Sequence, residues 1–370
     1  MTMNAMNPYK SNQITRLQFI LMVHGMQMGV GVIAMPSQLA KTSGTDGWIA
    51  IIIGWLASIL ASLIIIQVMK RHPDGTILQL LTHYFGKWVG KMGAVIFACY
   101  MATLAYLVFD RMVLLIRTWI MQNTQGYILM LLFIIPAYML AIGGMRSLGR
   151  FAEIVLLCTL WMPFFLLLLL KDAHWIHLLP VLKEGWMPVW HGVSSTVISF
   201  LGFESAFFLY PYLDNKKSAS ANIIIANTLT FLVYLFITIL CFILYSPDEI
   251  TQFNEAALSV IKVVEFRFIE RFDIIVLTIY VLIICRTWVP ELYIFTLCTE
   301  QLVLKGKTRV HLIVLLFVMV ILTYILDPSW NQSVSWFKIS GYFGFGVAYL
   351  FPICLWVLLS VTSRIARWRK

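Results

Sequence analysis

Glu204 stands inside an otherwise apolar stretch, Ser199-Phe200-Leu201-Gly202-Phe203-Glu204-Ser205-Ala206. A carboxylate in such surroundings is costly unless it holds a proton, a cation or a charged ligand. An earlier stretch, Gly29-Val30-Gly31-Val32-Ile33-Ala34-Met35-Pro36, sets two glycines ahead of a proline. Glycine loses more backbone freedom in a helix than other residues, and proline removes a donor, so both stretches favour unwinding. Unwound backbone survives in lipid only where it lines a cavity or binds something. The amides of Gly29, Val30, Gly31 and Val32, at the start of a half-helix, suit a small ligand's carboxylate. The carbonyls near Phe200 and Leu201, with Gly202, Phe203, Glu204 and Ser205, suit an amino group or a proton. The competing reading is that the glycines only let helices approach closely. It accounts less well for two breaks occurring together, one of them carrying a glutamate.

The elements that position these residues follow from composition. The 370 residues are 61% hydrophobic and only 12% charged. An average soluble domain is about 25% charged, so the solvent for this chain is lipid. The net charge of +10 sits in loops between apolar runs rather than in a nucleic-acid-binding patch. The six cysteines fall within apolar runs, with no CxxC or His/Cys spacing that suggests a metal or a disulfide framework. No cofactor motif appears. The first apolar run has no small-residue cleavage site behind it and reads as a retained span.

About ten spans of roughly 20–25 residues fit this length. They are expected at 17–40, 46–69, 89–119, 126–143, 151–170, 189–213, 221–245, 272–298, 310–327 and 336–361. The stretch Ala256 to Ile269 has apolar residues at near-helical spacing with charges between them, and predicts a short helix at the membrane surface. Most loop Lys and Arg residues, among them Lys10, Arg16, Lys70, Arg71, Arg146, Arg150, Lys216, Lys217, Arg369 and Lys370, fall on one side. That bias places both termini in the cytoplasm. The first and sixth spans then run in opposite directions with equivalent breaks. An inverted five-plus-five repeat, 17–170 and 189–361, requires that arrangement.

Gly29-x-Gly31-Val32-Ile33-x-x-Pro36 and Ser199-Phe200-x-Gly202-x-Glu204-Ser205-Ala206 resemble the first- and sixth-helix signatures of amino acid–polyamine–organocation permeases. Asn215-Lys216-Lys217 resembles the basic turn that follows. Val30 stands where that superfamily commonly has serine, which removes a hydroxyl from the site. The resemblance narrows at Gly47-Trp48, His72-Pro73, Phe85-Gly86-Lys87-Trp88-Val89-Gly90, Gly144-Met145-Arg146 and Arg150-Phe151-Ala152-Glu153. Leu179-Pro180-Val181-Leu182 and Phe268-Ile269-Glu270-Arg271-Phe272 continue it. Together these resemble the bacterial endospore germination permeases, the B subunits of nutrient germinant receptors, over nearly the whole chain. In the loop after the third span, Thr124 is followed by Gln125 where the family often shows Thr-Pro.

The resemblance implies an all-α LeuT-like membrane fold with broken helices 1 and 6 and a central amino-acid site between helices 1, 3, 6 and 8. It also implies A and C partner subunits and residence in the spore inner membrane.

Four further charges lie within spans: Asp110 and Arg111 in the third, Arg286 and Glu291 in the eighth. Adjacent residues point apart on a helix, so Asp110 and Arg111 do not pair with each other. Asp110 and Arg286 lie at compatible depths, and the resemblance makes their helices neighbours. A pair between them is expected, either locking the scaffold or serving gating. Glu291 lies deeper, and Arg111 can snorkel outward. Tyr100 and Tyr106 either offer a hydroxyl to a ligand or pack as core. His24 is a proton site or a satisfied structural histidine.

No nucleophile–base pair, metal cluster or phosphate loop appears, so no enzyme is expected. Two readings remain. In a receptor subunit, a small nutrient, an amino acid rather than a sugar, shifts an equilibrium that partner subunits sense. In a proton-coupled amino-acid transporter, the same pocket alternates access. Composition does not separate them, and the family resemblance favours the receptor.

Overall fold

Apolar runs of this length become helices because lipid offers backbone polar groups no partner, so each must bond within the chain. The computed structural model describes residues 9–262, 271–303 and 306–368; among these it is helical, with one parallel bridge between Ile14 and Leu213. The first half holds α1 (Arg16–Gln27), α2 (Gly31–Ser43), α3 (Gly47–Met69), α4 (Ile77–Phe85), α5 (Lys87–Trp119), α6 (Gly126–Ile142), α7 (Gly144–Thr159) and α8 (Trp161–Leu166). The second holds α9 (Trp186–Ser199), α10 (Ala206–Leu209), α11 (Ala219–Leu244), α12 (Pro247–Ile250), α13 (Ala256–Lys262), α14 (Phe272–Leu302), α15 (Thr308–Leu326), α16 (Trp330–Phe345) and α17 (Phe351–Trp368).

Among the described residues, eight stretches are long and apolar enough to cross a bilayer, and the first, Gly31–Met69, contains both α2 and α3. The rods follow the expected order: α1–α2, α3, α5, α6, α7–α8, α9–α10, α11, α14, α15 and α16–α17. Their outward faces carry exposed Leu60, Trp88, Leu132, Met139, Leu157, Phe164, Phe317 and Ile339, the surface a lipid-solvated bundle needs. All six cysteines are free.

Several boundaries differ from expectation. The fifth rod starts at Gly144, where the chain turns with φ +75°, and ends in a 3-10 segment over Leu167–Asp172. The tenth starts at Trp330, held by a capping box of Ser329 and Gln332, and passes through a π segment at Gly346–Leu350. α4 lies in a connection read as loop; Thr76 and Gln79 cap it reciprocally. The expected surface helix is α13, with 263–270 outside the described residues. α13 buries Ala256, Leu258 and Val260 against α2, α11 and α14.

The third and eighth rods are neighbours, as expected: α5 packs along α14, and Phe109 stacks on Trp288 at 4.1 Å and 7° between planes. The segment before α1 forms a strap across one end of the bundle. Ile14 N–H donates to the Tyr212 carbonyl at 3.0 Å, and Asp214 N–H donates to the Ile14 carbonyl at 3.1 Å. The Tyr9 hydroxyl donates to Gln79 Oε1 at 2.8 Å, and its ring meets Tyr212 edge-on at 4.8 Å.

Candidate ligand site at two helix breaks

α1 begins with a capping box of Thr15 and Gln18 and stops at Gln27; α2 resumes at Gly31 with no side-chain cap on its first turn. The break therefore spans Met28 to Val30. The sixth rod stops at Ser199, turns through Gly202 at φ +122°, and continues in 3-10 turns over Phe203–Ser205 into α10. A Cβ on Gly202 would lie 2.6 Å from both the carbonyl carbon and oxygen of Met26. The sixth-rod break thus lies backbone to backbone against the last turn of α1, beside the first-rod break, and glycine is required there by conformation and by space.

The carbonyls freed at both breaks are met by side chains from the seventh and eighth rods. The Tyr234 hydroxyl lies 2.6 Å from the Gln27 carbonyl and 2.9 Å from the Ser199 carbonyl, and its single proton serves the two. Tyr280 donates to the Gly29 carbonyl at 2.9 Å; Thr287 donates at 2.9 Å to the Gly25 carbonyl, which still accepts from the Met28 N–H at 3.2 Å in the last turn of α1. Gln27 Nε2 donates to the Phe200 carbonyl at 2.8 Å and to Asn227 Oδ1 at 2.9 Å. Thr230 links Gln27 Oε1 (2.8 Å) to His24 Nδ1 (2.9 Å), so His24 belongs to this network. Asn227, Thr230 and Tyr234 recur at helical spacing on one face of the largely apolar α11. That polar stripe is the sequence signal that marks them.

Tyr234→Phe is expected to lower stability by about 1–2 kcal/mol, because two buried carbonyls lose their shared donor. Thermal unfolding of the purified variant in nanodiscs checks it. A midpoint equal to that of the parent chain contradicts the bridging role.

Glu204 is fully enclosed. Its Oε1 accepts from the Tyr100 hydroxyl at 2.7 Å and its Oε2 from the Gly202 amide at 2.7 Å. The carboxylate therefore braces the sixth-rod break to the third rod. Phe203 meets the Tyr349 ring edge-on at 5.2 Å, Phe200 packs on Tyr234, and Ser205 Oγ is buried without a hydrogen-bond partner. Val30, Val32 and Phe200 are buried, whereas Gly31 and Leu201 are partly exposed. Glu291 lies within electrostatic reach of Glu204, and its Oε2 has no hydrogen-bond partner.

The structure brings Tyr100 to the breaks but not Tyr106, whose hydroxyl lies 3.5 Å from Thr323 on α15. It does not pair Asp110 with Arg286. Asp110 Oδ2 has no hydrogen-bond partner among the described residues, and the charged groups it feels there are Arg111, Arg117 and Asp327. Arg286 points the other way, its stem crossing Gly25 of α1. The depths match, as the Phe109–Trp288 stack shows, but the two side chains leave their helices in different directions.

Arg111 does not snorkel freely outward. It is buried, donates to the Trp330 carbonyl at 3.3 Å, lies 4.0 Å over the Trp330 ring and sits 3.8 Å from Glu255. Glu255 precedes α13, and Oε2 of its carboxyl has no partner. Burial outweighs the attraction of Arg111 and pushes the Glu255 carboxyl up to about 8. The folded chain then keeps a proton that the unfolded chain releases near its ordinary value, so stability falls as pH rises from there through about 8. Glu255→Gln is expected to flatten that fall in a pH series of unfolding midpoints. A parallel decline in both proteins contradicts it.

Among the described residues no group of three His, Cys, Asp or Glu is placed to hold a metal. The region instead offers uncapped helix amides, a braced carboxylate and buried aromatic walls, which suit a small polar solute.

Two broken rods crossing at their breaks, backed by the paired third and eighth rods, define a LeuT-type membrane bundle. The chain aligns over 94% of its length with MhsT in complex with L-phenylalanine, at TM-score 0.68 and 13% identity, covering 89% of that chain. It aligns over 92% with a Na+-coupled sialic acid symporter, at TM-score 0.67 and 12% identity, covering 79% of that chain. Residues 13–331 match the profile of the spore germination protein family, also described as spore permease, and the chain belongs to that family. Spore germination protein GerQB of Bacillus cereus is 25% identical over 96% of this chain and 98% of its own. Spore germination protein YndE of Bacillus subtilis (strain 168) is 25% identical over 97% and 98%. The chain is a multi-pass membrane protein whose family and fold are those of permeases rather than enzymes.

Proposed function

We propose that this chain is the membrane subunit of a spore nutrient germinant receptor. It binds a small nutrient, an amino acid, between the broken first and sixth rods and triggers germination. The observation that carries the reading is the pair of adjoining breaks, whose freed carbonyls at Gln27, Ser199, Gly29 and Phe200 are held by the side chains of Tyr234, Tyr280 and Gln27 rather than by helix. A ligand that binds one arrangement of such a junction more tightly than another shifts the population toward it. The residues proposed to line the site are Gly29 to Val32, Phe200 to Ser205 and Tyr100. The L-phenylalanine held by MhsT supports an amino acid as the ligand class. The reading includes A and C partner subunits, the spore inner membrane, cytoplasmic termini and two five-helix halves, 17–170 and 189–361.

The test is the loss of optical density by spores lacking this chain, across a panel of amino acids and sugars. Selective loss of response to one nutrient or mixture supports the receptor. An unchanged response together with an uptake defect in growing cells supports the proton-coupled transporter instead.

A further inference from the structure

Arg286 is a buried cation with no counter-charge among the described residues. It is 3% exposed, and both Nε and Nη1 lack a hydrogen-bond partner among the described residues. Its stem lies across Gly25: a Cβ there would meet Arg286 Nε at 2.5 Å and Cγ at 2.6 Å. The next residue, Thr287, donates to the Gly25 carbonyl, and its methyl carbon lies 3.2 Å from where a Gly29 Cβ would stand. This turn of α14 therefore faces the broken part of the first rod.

The carboxylates of the bundle are engaged elsewhere. Glu204 accepts from Tyr100 and Gly202, Glu255 sits beside Arg111, and Asp110 has Arg111, Arg117 and Asp327 as its charged neighbours. Glu291 lies on the same helix five residues on, about 140° around its axis. The carbonyl end of α1 offsets part of the charge. Free N–H groups on a buried guanidinium still call for an acceptor, and an unpaired buried charge is among the costliest features a fold can keep.

We infer that Arg286 receives the carboxylate of the small ligand that enters between the two breaks. The inference rests on the proposed amino-acid pocket and names the group within it that selects an anion. A charge-assisted bond from a guanidinium to a carboxylate is stronger than a neutral one, so the ligand's carboxylate sets much of its affinity. An amino acid fits; its amide, which lacks the negative oxygen, does not.

Thermal unfolding of the purified chain in nanodiscs tests this with L-alanine, L-valine and L-phenylalanine, the amide of each, and D-glucose. The expected result is a rise in midpoint with at least one free amino acid and none with its amide. Arg286→Gln should weaken that binding about tenfold or more, and Arg286→Lys, which keeps the charge, should retain part of it. An amide that stabilises as well as its amino acid overturns the inference and leaves the pocket standing. So does unchanged binding in folded Arg286→Gln, or a response to glucose alone. Should Arg286→Gln not fold, Arg286→Lys, which keeps the charge but loses the guanidinium fork, decides: weakened amino-acid binding supports the inference and parent-like binding overturns it. No response to any member of the panel overturns the amino-acid pocket and the inference with it.

Discussion

Gly202→Ala is expected to remove function and to destabilise the chain by on the order of 2–6 kcal/mol. Two independent costs add. The backbone sits at φ +122°, a region that side chains rarely adopt. The new Cβ also falls 2.6 Å from the Met26 carbonyl, on backbone that cannot swing aside as a side-chain tip can. Relief requires the two broken rods to separate, which also pulls Tyr234 from one of its carbonyls. Gly31→Ala is the matched control. Its Cβ would meet only Tyr234 Oη at 3.5 Å and Ser199 at 3.9 Å, ordinary contacts, and a loss under about 1 kcal/mol is expected. Unfolding midpoints and the yield of monodisperse protein compare the two. Equal behaviour means that the breaks do not depend on the Gly202 crossing.

Glu204 separates charge from structure. In Glu204→Gln the amide oxygen can accept from the Gly202 N–H while the amide nitrogen donates to the Tyr100 oxygen, which also accepts. Both contacts survive with the charge removed, so normal protein level with a lost or strongly weakened nutrient response is expected. Glu204→Ala strands two buried donors, the Tyr100 hydroxyl and the Gly202 amide, and a loss on the order of 2–5 kcal/mol is expected. Wild-type dose response in Glu204→Gln shows that Glu204 serves only as a brace. Unchanged stability in Glu204→Ala removes the brace as well.

The breaks were legible in the sequence because glycine, proline and an intramembrane carboxylate are rare and local signals. Gly29, Gly31, Gly202 and Glu204 announce themselves without knowledge of their neighbours. What the sequence does not carry is the direction in which a side chain leaves its helix. Tyr100 and Tyr106 lie six residues apart, about 240° around α5, so both cannot face one site. Only the packing decides that Tyr100 meets Glu204 and Tyr106 meets α15. Asp110 failed as a partner for Arg286 for the same reason: position along an axis follows from residue number, and azimuth between two helices does not. Tyr234, Tyr280 and Thr287 carry no distinct signal in the sequence, because each is one polar group among many on largely apolar rods. On α11, the spacing of Asn227, Thr230 and Tyr234 was the available clue.

The strap across the end of the bundle supplies reporters that need no added label. The amides of Ile14 and Asp214 are bonded only because the segment before α1 lies against the chain after the sixth rod. Each opening of that end frees both protons to exchange with water at once, although the residues are far apart in sequence. Deuterium uptake at these two positions, followed with and without nutrient, counts how often the bundle unlatches.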